Sequence, residues 1–99
     1  MNKIIDDLRN YFEILKFLHA SSGNNFSAEF GNDVIADKIS SWFNIKYDRI
    51  IKKHIEILVM RKFLIPAREG YKINICLFEL EQEFIKKYKF ELQLGGFVE

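Results

Sequence analysis

Apolar residues recur every three or four positions from the start of the chain. Ile4, Ile5, Leu8, Tyr11, Phe12, Leu15, Leu18 and His19 form one stripe, which predicts a helix over residues 2–20. Asp6 and Asp7 in its first turn suit the positive end of the helix dipole. Ser21 to Asn25 ends it, with Gly23 or Asn24 able to take a left-handed backbone. Residues Phe26 to Phe30 alternate weakly, as a short strand pairing with a later hairpin would. Gly31-Asn32-Asp33 then offers a turn and an N-cap.

A second helix is expected over residues 32–43, with Val34, Ile35, Ile39, Trp42 and Phe43 as its buried face. Trp42 would be its largest packing element. After a break near Asn44-Ile45, a third helix is expected over 46–62, with Ile51, Ile55 and Leu58 inward and Ile50, Ile57 and Val59 widening that face. Phe63 to Pro66 and Tyr71 to Ile75 are rich in aromatic and branched residues. Ala67-Arg68-Glu69-Gly70 joins them, so residues 63–75 read as a hairpin. Pro66 fits only at an edge or strand end. A last helix is expected over 76–90, on which Leu77, Leu80, Phe84 and Tyr88 repeat at helical spacing beside Phe78 and Ile85. Leu92, Leu94, Phe97 and Val98 carry the apolar character further. The fold class is mainly α with a small β-hairpin (α+β), about four helices and a two- to three-stranded sheet in one domain over 1–99.

Composition supports a packed interior. In 99 residues, 48% are hydrophobic and ten are Phe, more apolar surface than a single copy of such a chain readily hides. A homodimer is therefore expected, with Leu77, Leu80, Phe84 and Tyr88 of the last helix as its interface. No window approaches the ~18 unbroken apolar residues of a membrane span. Two carboxylates stand where a signal peptide has its apolar stretch, so a soluble, cytoplasmic protein is expected. The single cysteine, Cys76, lies among Ile75, Leu77 and Phe78 and is expected to be buried as a small apolar residue.

The net charge of +1 conceals a strong asymmetry. Residues 41–72 hold eight bases (Lys46, Arg49, Lys52, Lys53, Arg61, Lys62, Arg68, Lys72) against Asp48, Glu56 and Glu69, giving +5. The flanking segments, residues 1–40 and 73–99, each come to −2 by the same count. On the third helix Lys46, Arg49, Lys53 and Glu56 share one face, flanked by Tyr47 and Lys52. Arg68 and Lys72 fall at the hairpin tip and on its return strand. A localised positive stripe of this kind is what phosphate recognition requires. His54 borders the stripe, within reach of a phosphate.

Enzymatic motifs are missing. There is no run ending Gly-Lys-Ser/Thr and no Gly-x-Gly-x-x-Gly. His19 and His54 stand alone in helical segments, and no Ser/His/Asp or Cys/His spacing is suggested. No enzyme, cofactor or metal is expected.

The residues from Val34 to Asn74 resemble the winged helix-turn-helix DNA-binding superfamily, in particular small MarR- and PadR-like regulators, including those of archaeal viruses and plasmids. Ile35-Ala36-Asp37-Lys38-Ile39 and Phe43-Asn44-Ile45 look like the positioning helix and turn, Ile50 to Leu58 like the recognition helix, and Leu58 to Ile65 like the run into the wing. Where the family commonly has glycine, this chain has Asn44 and Phe63. The resemblance implies a homodimeric regulator of transcription that binds double-stranded DNA. Its contacts would come from Lys46, Tyr47, Arg49, Lys52, Lys53, Glu56, Arg68 and Lys72. Winged helices also serve as protein-interaction modules, which is the alternative reading.

Overall fold

The computed structural model describes residues 3–94. Five helices and one hairpin follow in the order α1 (Lys3–Ser21), α2 (Asn32–Phe43), α3 (Asp48–Met60), β1 (Leu64–Ala67), β2 (Gly70–Ile73), α4 (Leu77–Lys87) and α5 (Lys89–Leu94). The architecture is mainly helical with a two-stranded antiparallel sheet. Phe97 and Val98 lie outside the described residues, as does Asn2.

Backbone closures explain the helix ends. After α1, Gly23 and Asn24 are both left-handed, and Asn24 and Gly23 donate their N–H groups to the carbonyls of His19 and Ala20. Asn44 is left-handed (φ 54°) and stops α2 without glycine, because its short polar side chain tolerates that region. The hydroxyl of Ser40 fixes the turn that follows by donating to the Ile45 carbonyl at 2.6 Å. At the end of α3 the left-handed residue is Lys62 (φ 64°), not Phe63. Lys62 and Phe63 donate to the carbonyls of Val59 and Leu58, which closes the helix and turns the chain into β1.

The hairpin pairs Leu64 with Ile73 and Ala67 with Gly70 around a turn of Arg68 and Glu69. Phe30 adds a third, one-residue strand. It exchanges both backbone hydrogen bonds with Tyr71, at 2.8 and 2.9 Å, so of the short strand expected over residues 26–30 Phe30 alone pairs with the hairpin, as an isolated bridge.

The core lies where α1 crosses the other elements. Phe12 packs against Phe63 of the α3–β1 corner and Phe84 of α4, with ring centroids 4.9 and 5.3 Å apart. Ile35, Ile39, Leu58, Leu64 and Leu77 complete it, each wholly shielded from solvent. Lys16 of α1 reaches Glu81 of α4 at 2.7 Å and Glu13 at 3.0 Å, tying the two helices at their rim.

Several side chains lie elsewhere than the spacing suggests. Trp42 is 41% exposed, because Phe43 fills the last turn of α2 against Tyr11 and His54. Trp42 instead meets Phe17 on the outside, where the Lys38 ammonium sits over the Phe17 ring. Val34 is also exposed. Cys76 is exposed, since it falls in the corner before α4, where Asn74 accepts its N–H. The expected last helix is interrupted at Tyr88. Leu77 and Phe84 are 0% and 8% exposed within one chain, Phe84 packing on Phe12 of α1, so their side chains are not available to a dimer partner. Leu80 and Tyr88 are half-buried against the same core.

Candidate nucleic-acid interface

Helix α3 is built with two opposed faces. Ile51, Ile55 and Leu58 anchor it in the core, and this burial fixes the direction of the opposite face. That outward face carries Arg49, Lys52, Lys53 and Glu56, all exposed, around a shallow surface depression that also includes Ile50. Asp48 lies with Asp33 in the cleft between the starts of α2 and α3, which Lys52 borders as well as the outward depression. Asp48 thus offsets part of the charge on the Lys52 side of the stripe and stands in the first helical turn, where the dipole favours it.

The helix begins at Asp48, later than expected, so Lys46 and Tyr47 belong to the turn before it. Tyr47 caps α3 through its carbonyl, which accepts the N–H groups of Ile50 and Ile51, while its side chain is exposed. Both side chains therefore stand beside the first turn of α3, at the same end as Arg49. Among the described residues, none of the eight bases of segment 41–72 has a carboxylate within 4 Å, the ion pairs there being those of Lys16. Unpaired, exposed cations on one helix face are free to bind a polyanion without breaking an internal bridge.

The hairpin contributes less than its charge suggests. Arg68 is exposed at the tip, but the adjoining surface includes Glu29 and Glu69. Glu29 accepts the backbone N–H of Glu69 at 2.9 Å and so ties the tip to the segment before α2. Lys72 is half-buried on β2. The field of the candidate interface is therefore concentrated on α3 and the turn before it.

His54 does not face the stripe. It turns inward, where the Tyr11 hydroxyl lies 2.5 Å from its Nδ1 and the Phe43 ring stacks on it at 4.6 Å. Tyr11 is 1% exposed, and burial, with Asp7 nearby, pushes its hydroxyl up to about 12. The phenol thus stays protonated at neutral pH and is hydrogen-bonded to His54 Nδ1. Burial lowers the His54 pKa below its ordinary 6.5, with Asp7 opposing and Lys3 reinforcing that shift. The unfolded chain then binds more protons at this site than the folded one once the pH falls to about 6.5 or below. The contribution of neutral His54 to stability is complete above that pH and is lost as the pH falls through the lowered value. Thermal unfolding followed by circular dichroism between pH 7.5 and 5 should show this decline, and His54→Gln should remove that part of it.

His19 is 4% exposed and stacks on Phe26 at 4.0 Å, a packing role that its place in the apolar stripe of α1 foreshadows. Among the described residues no three of His, Cys, Asp and Glu gather as metal ligands, and no helix is long and apolar enough to cross a membrane.

Compared with models of known families, with characterised proteins and with solved structures, the chain shows no significant match.

Proposed function

We propose that this chain is a winged helix-turn-helix protein that binds double-stranded DNA sequence-specifically as a homodimer and regulates transcription, with α3 in the major groove. The observation that carries the reading is the unpaired cationic face of α3, Arg49, Lys52 and Lys53, opposite the face that anchors the helix. The element order supports it. A helix, a one-residue strand at Phe30, two helices joined by a tight turn and a hairpin follow one another as in that superfamily. The exposed tip of α3 offers Arg49 for bidentate contact with guanine and Lys46, Lys52 and Lys53 for phosphates.

Affinity for random duplex DNA measured against salt tests the reading. A DNA binder gives a log–log slope of roughly −0.9 per phosphate contacted. A second reading, a protein-interaction module, is favoured by the exposed Phe17–Trp42 pair and predicts no such slope. Within the DNA reading, Arg49→Ala is expected to cost ~1–3 kcal/mol on a selected site and to relax base preference at one position. Selection from random DNA with both proteins measures it. A uniform loss on all sequences would make Arg49 a phosphate contact.

A further inference from the structure

A second face of the molecule lies at the far end of α3 from the cationic stripe. Ile4, Leu8 and Tyr11 of α1 and Ile57 and Met60 of α3 line a groove of about 220 Å³. Asp7 and Arg61 also border it, one from each side. Its neighbours are unusually bare for apolar residues: Ile4 is 57% and Met60 74% exposed. Asp7 and Arg61 face the same groove, yet they are not within 4 Å of one another, since the described ion pairs involve Lys16 alone. The groove is smaller than the ~300 Å³ at which small-molecule sites begin. It suits inserted side chains better than a free ligand. Through Leu8 and Arg61 it continues into a second groove of about 180 Å³, where Phe63, Leu80, Glu83 and Tyr88 line the seam between α1 and α4.

We propose that this trough, between the N-terminal half of α1 and the C-terminal end of α3, is a two-fold self-association face whose occupant is a second copy of the chain. Charge and shape single out that partner. Under a two-fold axis, a residue i that meets j on the partner is matched by j meeting i. One acid and one base flanking an apolar centre are then self-complementary, Asp7 of each copy meeting Arg61 of the other. Met60, flexible and protruding, is the side chain suited to fill the other copy's groove. The adjoining seam along α4 extends the face toward the ~800 Å² per partner of a stable interface. It also retains Leu80 and Tyr88 at the margin, in place of the buried Leu77 and Phe84.

The placement agrees with DNA binding. From Ile51, amid the cationic residues, to Met60 is about 13 Å along the helix at 1.5 Å per residue. Two copies of α3 meeting near these ends would carry their cationic halves outward, on either side of the two-fold axis. The inference rests on the dimeric part of the proposed function, and association without DNA tests it separately from DNA binding.

Sedimentation velocity of the full chain at micromolar concentration should give twice the chain mass. Asp7→Arg alone and Arg61→Asp alone should each give a single chain mass, through like charges facing one another at both contacts. An equimolar mixture of those two variants should return to twice the chain mass, because opposite charges then meet at both contacts of each mixed pair while the like-charged homodimers are disfavoured. Met60→Glu changes only an exposed side chain, so it should keep the native circular dichroism spectrum and sediment as a single chain. A native chain of single mass, a dimer that survives Met60→Glu, or folded charge variants that fail to associate on mixing would each overturn the proposal. A single-mass chain that still shows the DNA salt slope would overturn this face alone and leave the DNA reading in place.

Discussion

Gly70→Ala is expected to destabilise the protein by ~3 kcal/mol or more, on the scale of backbone strain added to a steric clash. Gly70 has φ 144°, a conformation L side chains rarely adopt. A Cβ built there would overlap the Phe30 carbonyl oxygen and lie 3.0 Å from the Gly31 Cα. Both neighbours are backbone, so no rotamer change relieves the overlap. Phe30 would have to withdraw, and with it the paired hydrogen bonds to Tyr71 that attach the segment before α2 to the hairpin. Gly31 gives the contrasting case a short distance away. Its φ is −65°, nothing lies within 4 Å of its added Cβ, and it is the N-cap of α2 without a capping side chain. Gly31→Ser should therefore leave stability unchanged or raise it by up to ~1 kcal/mol. Urea unfolding of both variants checks the pair, and a Gly70→Ala midpoint equal to that of the native chain would refute the steric account.

Gly70 also shows why part of this fold is legible in the sequence and part is not. Its place at the end of Ala67-Arg68-Glu69-Gly70 marks a hairpin turn by local chemistry alone, and the helices before it follow from spacing that buries one face. Periodicity fixes which side of a helix is apolar, but not whether the neighbouring element reaches that side. Trp42 lies on the inward arc of α2 by spacing, yet Phe43 takes the room at the helix end and leaves it outside. Leu77 and Phe84 look like surplus apolar surface because a stripe on the last helix is the same whether it meets α1 or a partner. The contact of Phe84 with Phe12 is long-range and has no local signal. By position on α3, His54 borders the charged face and a phosphate, whereas the Tyr11 hydroxyl that draws it inward is 43 residues away. Cys76 shows the reverse case. The Asn74 side chain that holds its N–H is a local signal, of the kind that marks a turn, among apolar neighbours that suggest burial.

Replacing Lys46, Lys52 and Lys53 together by Gln should lower the magnitude of the salt slope by about 2.7 units, at roughly 0.9 for each phosphate no longer neutralised. At 0.1 M salt, the same relation puts the fall in affinity at roughly 10²–10³-fold. The three side chains are exposed and free of ion pairs among the described residues, and the core-facing side of α3 is unchanged. The thermal midpoint should therefore stay close to native, which separates impaired binding from impaired folding. Neutralising the hairpin cation in the same way gives a graded comparison. Glu29 and Glu69 adjoin Arg68, and Glu29 holds the tip toward the segment before α2. Arg68→Gln should then move the slope by less than one full phosphate, under ~0.9 units. A triple variant with native slope would show that α3 and the turn before it do not meet the phosphates. An Arg68 effect as large as that of the triple would instead place the hairpin, and not the helix, at the centre of the DNA contact.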